Sequence, residues 1–364
     1  MIFFSQARKI DWVLFGSVLF LVLFGILELF AMNKNSPEMS FILSKQIIAL
    51  FLGIFLMFAL AFFDYRFFKN NSYAAVIFYI LSLSILALLL FISSDIRGTT
   101  AWIKIGSFSI EPVEFVKIAL IILFAKYFSQ RHVEIHRFSN IFISGIYLVL
   151  PLGLVLLQPD LGSAIVMSGI WIFMMLVSGI SKKHILILIT VGMLVASFAW
   201  VYLFKDYQKD RVLTFLNPYA DPQGAGYNVI QSMIAVGDGG IFGRGLGYGS
   251  QVQFGFLPEA HTDFMFASVA EEFGLIGVIF IFSLLSIIIW RIIKIAMLAE
   301  NNFARLFCIG VVSWIFIQII INAGMNLGMI PVTGITFPFL SYGGSSLLAL
   351  FIAIGLVQSI KFRS

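Results

Sequence analysis

The sequence predicts an all-α polytopic membrane protein that forms one integral membrane domain over residues 1–364. Hydrophobic residues make up 60% of the chain, charged residues only 11%, and the mean hydropathy is +1.03. Many apolar runs exceed the roughly 18 residues that a helix needs to cross hydrocarbon. None shows the alternation of apolar and polar residues that is typical of transmembrane strands. We therefore predict a bundle of membrane-spanning helices.

Charges, prolines and glycines divide the apolar sequence into about ten predicted spans. An even number of spans places both termini on the same side of the membrane. The first span follows Arg8 and Lys9 and is too long for the core of a cleavable signal peptide. The single cysteine, Cys308, lies inside a span, which excludes a disulfide framework and a Cys-based metal site. The predicted spans cover 11–32, 42–63, 73–92, 112–129, 139–157, 161–180, 184–204, 263–290, 303–327 and 338–360.

Lysine and arginine residues are concentrated on one side of the predicted spans. Because cytoplasmic loops are enriched in these residues, both termini are predicted to be cytoplasmic. The net charge of +5 then reflects this asymmetry and attraction to anionic membrane lipid, so we expect no nucleic-acid partner. Outside the long loop, the sparse side has Lys34, Lys45, Arg97 and Lys104, and the rich side has Arg8, Lys9, Arg66, Lys69, Lys126, Arg131, Arg137, Lys182, Lys183, Arg291, Lys294, Arg305, Lys361 and Arg363.

The one long hydrophilic segment, 205–262, lies between the seventh and eighth spans and falls on the extracytoplasmic side. Loops of this length usually carry function or are disordered. We do not expect the whole segment to be disordered, because glycines such as Gly237 and Gly243 are interleaved with apolar residues such as Ile230 and Phe242. We expect short re-entrant or interfacial helices that are separated by glycine turns.

Ionisable residues follow this loop at the edge of the eighth span, where residues 258–274 include His261, Asp263, Glu271 and Glu272. Lipid cannot solvate a charge, so a carboxylate at this depth indicates a functional site. Asp263 lies at the junction of loop and span, with a cap of the eighth span as the alternative. Glu271 and Glu272 lie about 12 Å deeper. Since adjacent helical residues face different ways, one is expected to meet a partner in the bundle and the other to face the cavity.

Further polar residues mark the fourth and sixth spans. Glu114 and Lys117 are three residues apart near the start of the fourth span and therefore share a helix face. A buried Lys117 needs a partner, and it either pairs with Glu114 or binds an anionic substrate. Arg211 in the long loop either binds the same anion or anchors to headgroups. Asp160, in a short turn, is expected to cap the sixth span.

Small and polar residues near the last span are expected to support packing. Asn322 and Asn326 are four residues apart on the ninth span and are predicted to hydrogen-bond across the bundle. Ser341, Gly343 and Gly344 precede the tenth span, where small residues allow helices to approach closely in lipid. A glycine-rich stretch at 239–245 lacks the Lys-Ser/Thr of a phosphate-binding loop, so we reject nucleotide binding.

Four stretches resemble the SEDS (shape, elongation, division and sporulation) family, and the similarity covers nearly the whole chain. The resemblance implies a ten-span peptidoglycan glycosyltransferase that polymerises Lipid II into nascent glycan outside the bacterial plasma membrane. It also implies a class B penicillin-binding protein as partner. The stretches are Gln158-Pro-Asp-Leu-Gly162, residues 226–245 with Tyr227-Asn-Val-Ile-Gln-Ser232, Leu257-Pro-Glu-Ala-His-Thr-Asp-Phe264, and residues 326–346.

Two branches of the family fit the sequence to different degrees. Pro331-Val-Thr-Gly-Ile335 resembles the elongation branch, RodA, because the division branch, FtsW, tends to have Lys where Thr333 stands. Ala260 favours FtsW, since a bulkier polar residue often precedes the His in RodA-like chains. We interpret the chain as RodA-like. It departs from the family at Glu111, where Gln is usual, although Glu114 and Lys117 match.

The expected reaction needs a base for the acceptor hydroxyl and cationic help for the departing pyrophosphate. We assign Asp263 as the base, with inversion at the donor sugar, and Lys117 and Arg211 as pyrophosphate-binding residues. His261 is a candidate to orient Asp263. Glu114 either orients Lys117 or joins Asp263 in a carboxylate cluster for Mg²⁺ or Mn²⁺, and the sequence does not identify the metal. A lipid-linked precursor flippase and a non-catalytic scaffold remain alternatives from other functional classes.

Overall fold

A computed structural model describes residues 9–32, 37–92, 101–106, 108–131, 138–202, 206–224 and 226–363. The predictions that involve Arg8, Lys34, Arg97 and Arg137 lie outside these residues. The helices are α1 (Trp12–Met32), α2 (Pro37–Phe62), α3 (Arg66–Asn70), α4 (Ser72–Ile92), α5 (Val113–Arg131), α6 (Phe138–Leu157), α7 (Leu161–Ser178), α8 (Lys182–Tyr202), α9 (Asp206–Leu216), α10 (Tyr227–Gly239), α11 (Ser250–Gln253), α12 (Met265–Leu298), α13 (Asn302–Asn326) and α14 (Gly344–Phe362).

Long helices occupy the predicted spans, which confirms the all-α membrane class. Within the described residues, eight helices are long and apolar enough to cross a membrane: α1, α2, α4, α6, α7, α12, α13 and α14. Helix α5 has a suitable length of 19 residues but carries ionisable groups, and the apolar part of α8 is the shorter stretch Lys183–Leu194. The number of spans and the side on which the termini lie stay predictions.

Helices α13 and α14 lie at the centre of the bundle, with 78% of their apolar windows buried. Close packing of α14 on α2 depends on small residues. Gly53 of α2 lies against the Phe351 ring, and Gly355 of α14 lies against the Met57 backbone, so a β-carbon at either position would meet atoms within 2.7 Å or less. These contacts fit the rule that small residues let helices approach closely in lipid.

The segments between the long helices differ from the predicted pattern in two places. Ahead of α5 the chain forms a hairpin of β1 (Ile103–Ile105) and β2 (Phe108–Ile110), paired antiparallel with Ile103 opposite Ile110. The alternating apolar residues of this short loop were too few to predict strands. The last helix begins at Gly344 instead of 338, because residues 331–343 form an irregular segment. The long loop contains α9, α10, α11 and the 3-10 helix Pro218–Ala220, in agreement with the short helices predicted there.

Helix α12 is broken at Gly274, whose backbone angles are φ 63° and ψ −160°. The glycine loop after α10, residues 240–253 with the short helix α11 at its end, fills this break with backbone hydrogen bonds. The amides of Arg244 and Gly245 donate to the carbonyls of Glu271 and Glu272, both at 2.9 Å. Beyond the break, the Leu275 amide donates to Gly240 at 2.9 Å. The predicted eighth span is therefore present but carries a break that the sequence did not predict, and the broken helix persists because the loop satisfies its polar groups.

Candidate active site

Asp263 lies at the start of α12, at the end of a tight turn. Glu259 adopts a left-handed conformation with φ 51°, and its carbonyl accepts hydrogen bonds from the amides of Thr262 and Phe264 at 3.0 and 3.3 Å. The Asp263 side chain is half-buried, and a β-carbon on Gly334 would lie 3.7 Å from its Oδ2. The N-cap of α12 is Phe264, and the Thr262 hydroxyl bonds to Glu259. The N-cap position is therefore held by Phe264, and not by Asp263 as the alternative interpretation requires.

Two asparagines hold the backbone beneath the Asp263 side chain. The amide groups of Asn322 and Asn326, one turn apart on α13, both donate to the Asp263 carbonyl at 3.0 Å. Asn322 also donates to the Ile335 carbonyl at 2.6 Å, and Asn326 accepts from the Ala267 amide at 3.0 Å. The predicted cross-bundle hydrogen bonds therefore join the start of α12 to the irregular segment 331–343.

Glu114 and Lys117 form an ion pair inside the bundle. Lys117 Nζ lies 2.8 Å from Glu114 Oε1, and the Lys117 side chain is fully buried. The ammonium also lies 5.8 Å from the centre of the Trp314 ring. Glu114 Oε2 has no hydrogen-bond partner among the described residues. Of the two sequence-based interpretations, this geometry favours a Glu114 that orients Lys117, with no surface of Lys117 open to a ligand.

Glu111 is the residue on which several charged groups of the site act electrostatically. Burial raises the pKa of Glu111 well above its usual range, and the carboxylates of Glu114 and Asp160 add to this effect. The Asp263 carboxylate also raises the pKa of Glu111, whereas the Lys117 ammonium lowers it. Groups from the starts of α5, α7 and α12 therefore converge. In the sequence, Glu111 stands out only as a departure from the family.

Replacement of Glu111 by Gln is expected to stabilise the protein near neutral pH. A carboxyl group with a raised pKa binds its proton more tightly in the folded state, so stability falls as pH rises from the unfolded pKa of about 4.3 toward the folded pKa. Gln cannot ionise, so the Glu111→Gln unfolding temperature should exceed that of the native chain by a few degrees at about pH 7 and converge with it near about pH 4.5.

Thermal unfolding of both purified chains across this pH range measures the effect. The exposed Glu300, which pairs with Arg66, supplies a matched control, because Glu300→Gln should leave the pH profile nearly unchanged. Parallel profiles for the native chain and Glu111→Gln would contradict the raised pKa.

Asp160 is the N-cap of α7, where its Oδ1 accepts from the Ser163 amide at 2.9 Å. This is the structural role that the sequence analysis favours. The same carboxylate contributes to the electrostatic environment of Glu111. Asp160 thus links the short turn before α7 to the start of α5.

Glu271 and Glu272 both hold the loop that fills the break in α12. Glu271 Oε1 accepts from the Gln251 amide at 2.8 Å, and Glu272 Oε2 accepts from the Gly247 amide at 2.7 Å. The prediction that one of the two faces the cavity is therefore wrong, because the loop wraps around two faces of the helix. The buried Glu28 carboxyl on α1 is close enough to both acids to interact electrostatically.

His261 and Ser341 are tied to the segment that leads into α14. The Tyr342 amide donates to the His261 carbonyl at 2.9 Å, and the two rings lie 5.9 Å apart. His261 Nε2 is 3.9 Å from Glu259 Oε2. The Ser341 hydroxyl is buried and accepts from the Phe337 amide at 2.9 Å, which is a structural contact.

Gly343 and Gly344 lie at the entry of α14 next to α2. The Gly343 amide donates to Gln46 Oε1 at 3.4 Å, and the Gly343 carbonyl accepts from the Leu347 amide at 2.8 Å. Gly344 is the first residue of the helix, in agreement with the bent entry that the small residues predict.

Arg211 lies on α9 and is partly buried. Among the described helices, α9 packs chiefly on the 3-10 helix Pro218–Ala220 that follows it. Arg211 stays a sequence-based candidate for binding pyrophosphate.

Sequence reasoning missed two features of the site besides Glu111. Gly334, with φ 74°, lies against the Asp263 carboxylate, and the glycine inside a Pro-Val-Thr-Gly turn is the only signal for it. Gln46 of α2 donates to the Ser341 carbonyl at 3.3 Å. A single polar residue within an apolar span marks Gln46, but nothing in the sequence names its partner.

Comparison with known proteins gives a consistent result. A family model described as cell cycle protein, FtsW/RodA/SpoVE, matches residues 7–364. The chain is 35% identical over 371 residues to a probable peptidoglycan glycosyltransferase FtsW of Geobacter metallireducens, and the match covers 99% of this chain and 96% of that one.

Two solved structures share the fold and the length of the chain. One is described as structural coordination of polymerization and crosslinking by a peptidoglycan synthase complex, with a TM-score of 0.82, 34% identity and 97% of both chains covered. The other is the rod shape determining protein RodA of Thermus thermophilus, with a TM-score of 0.71, 30% identity, and 97% of this chain and 96% of that one covered.

Proposed function

Because this chain belongs to the FtsW/RodA/SpoVE (SEDS) family and is a multi-pass membrane peptidoglycan glycosyltransferase, we propose that it polymerises Lipid II into glycan for cell elongation. The observation that carries the proposal is the half-buried Asp263 carboxylate at the start of α12, whose backbone is held by Asn322 and Asn326. Lipid-anchored reactants reach such a position at the outer surface of the plasma membrane, the side that we assign to this end of the helices.

Asp263 acts as the general base in the proposed reaction. Its carboxylate takes the proton from the acceptor sugar hydroxyl, and that oxygen forms a bond to the anomeric carbon of the donor sugar. The bond from this carbon to the pyrophosphate breaks, so undecaprenyl pyrophosphate leaves and the anomeric configuration inverts. His261 lies two residues away on the same turn and would help to orient the base.

Lys117 contributes positive potential to the site while Glu114 holds it, and Arg211 is the candidate for direct contact with pyrophosphate. The buried pair allows structure and function to be separated. Lys117→Met alone should destabilise the fold by about 3–5 kcal/mol, because it leaves the Glu114 carboxylate unpaired. The double variant Glu114→Gln/Lys117→Met removes both charges and should regain stability.

Polymerisation should stay at least about 100-fold below native in the double variant, since the positive potential of Lys117 then no longer acts on the departing pyrophosphate and only Arg211 remains. Thermal unfolding and glycan yield from Lipid II, measured on the same preparations, check both parts. A double variant that regains activity together with stability would reduce the pair to a structural role.

The elongation branch is favoured by Thr333 and by the likeness to RodA, while the similarity to FtsW and Ala260 favour division. Depletion of the protein in its native cell distinguishes the two. Loss of an elongation polymerase gives round cells, whereas loss of a division polymerase gives filaments.

The proposed partner is a class B penicillin-binding protein that cross-links the new glycan. Support comes from the likeness to the peptidoglycan synthase complex in which polymerization and crosslinking are coordinated. Co-purification of the two proteins, followed by an assay with and without the partner, tests this assignment.

The described side chains do not fit a divalent cation. Glu114, Asp160 and Asp263 each act electrostatically on Glu111, but no three His, Cys, Asp or Glu groups in the described part of the chain are close enough to hold a metal. The mechanism therefore assigns no step to Mg²⁺ or Mn²⁺. The predicted metal site is tested by adding EDTA to the polymerisation assay. Polymerisation that EDTA stops, and that Mg²⁺ or Mn²⁺ restores, would support a bound cation.

A polymerisation assay with purified protein, Lipid II and no ion gradient tests the proposed function. Glycan formed by the native chain, alone or with its partner, agrees with a polymerase. Lipid II that crosses liposome membranes without being polymerised would favour the flippase alternative, and an intact complex that does neither would favour a scaffold.

A further inference from the structure

A cavity of about 400 Å³ lies far from Asp263, where the start of α1, the C-terminal half of α12 and the end of α14 meet. Its volume falls within the roughly 300–1,000 Å³ range of ligand pockets. We call it the basic pocket and define it by the side chains of Lys9, Trp12, Arg291, Lys361 and Phe362, with Asp11 at its base.

The base of the basic pocket is rigid. Arg291 forms a bidentate ion pair with the buried Asp11, with Nε 2.8 Å and Nη2 2.5 Å from Oδ2. Gln358 of α14 bonds to the Asp11 backbone in both directions, at 2.9 and 3.0 Å. Asp11 therefore joins the start of α1 to α12 and α14, which holds the base of the pocket in place.

The basic pocket has an excess of positive charge. Arg291 and Asp11 neutralise each other, which leaves Lys9 and Lys361. Lys9 Nζ lies 5.3 Å from the centre of the Phe362 ring, and no described carboxylate forms a salt bridge with either lysine. Two ammonium groups around a cavity, neither neutralised by a carboxylate of the described residues, favour an anionic ligand.

The apolar surroundings point to a lipid. Trp12 and Val13 are 52% and 51% exposed at the rim, and exposed apolar residues such as Phe20 continue along α1. Tryptophan is enriched at the headgroup level of membranes, and basic pockets between helix ends bind anionic headgroups. A free phosphate would use the ammonium groups but not this apolar path.

We propose that the basic pocket binds the phosphate headgroup of an anionic phospholipid in the leaflet at the Lys- and Arg-rich end of the helices. Lys9 and Lys361 contact the phosphate, and the acyl chains follow the exposed face of α1 beside Trp12. Bound lipid then braces α1 against α12 and α14. This site is independent of the polymerisation chemistry at Asp263.

Native mass spectrometry of the purified full-length chain, titrated with phosphatidylglycerol or phosphatidylcholine, tests the site. The native chain should retain phosphatidylglycerol in preference, and Lys9→Gln/Lys361→Gln should weaken this retention on the order of tenfold. The matched control Lys183→Gln/Arg305→Gln removes the same charge from exposed positions outside the basic pocket and should retain the lipid.

Lys9→Arg/Lys361→Arg keeps the charge and should also retain the lipid, and unfolding temperatures in phosphatidylcholine show that each variant is folded. Equal retention by native chain and Gln variant, or equal loss in the control, would overturn the site. A second arm measures protection from unfolding by inorganic phosphate. Inorganic phosphate that protects as well as phosphatidylglycerol, and only when both lysines are present, would identify the ligand as a soluble anion and overturn the lipid assignment.

Discussion

Asp263→Asn is expected to abolish glycan polymerisation while the protein remains folded. Asn has the shape of Asp but cannot accept the proton of the acceptor hydroxyl, and loss of a general base costs about 10²–10⁴-fold in rate. The fold should survive because Asn322 and Asn326 bind the Asp263 backbone carbonyl, which the substitution leaves in place. Polymer from Lipid II is measured with the native chain and the variant.

Each chain is assayed with and without a co-purified class B penicillin-binding protein, the proposed partner. Asp221→Asn supplies the matched control, since Asp221 is an exposed aspartate on the same long loop that bonds to the Gly224 amide at 3.0 Å. Asp221→Asn should polymerise normally. Native activity in a folded Asp263→Asn complex would exclude this residue as the base.

Gly274→Ala is expected to destabilise the protein strongly, although it adds only one methyl group. At φ 63° and ψ −160°, Gly274 occupies a backbone region that is essentially restricted to glycine, at a cost of about 1–3 kcal/mol for other residues. The added methyl would also lie 2.6 Å from the Ile241 carbonyl oxygen and overlap the Gly243 amide nitrogen. Both atoms are backbone and cannot rotate away, so we expect a total cost above about 3 kcal/mol.

Two further glycines separate the causes of this loss. Gly240 has φ 54° but open space around its Cβ position, so Gly240→Ala reports backbone strain alone. Gly16 in α1 has neither a positive φ nor a neighbour within 4 Å, so Gly16→Ala should be neutral or slightly stabilising. Thermal unfolding should rank Gly274→Ala below Gly240→Ala, and Gly240→Ala below Gly16→Ala. A Gly274→Ala chain as stable as Gly16→Ala would contradict the broken helix.

Hydrophobic composition and the placement of charges predict much of this fold. The start of α7 matches the predicted residue 161, and the ends of α1 and α6 match 32 and 157, because turn and charged residues stop apolar helices locally. The pairing of Glu114 with Lys117 follows from their spacing of three residues. Asp263 is conspicuous as a carboxylate beside a long apolar run, because a charge near lipid is costly and usually marks a functional site.

Composition and spacing along the chain are enough to predict the class of the fold, the positions of its long helices and the residues that stand out as chemical candidates. These properties depend on hydrophobic length and on neighbours along the same helix. Only the folded chain reveals that α12 breaks at Gly274, that Glu271 and Glu272 hold one loop, and that Asn322 and Asn326 support Asp263. Each of these contacts joins residues far apart in the chain, and periodicity carries no information about which distant polar group satisfies another.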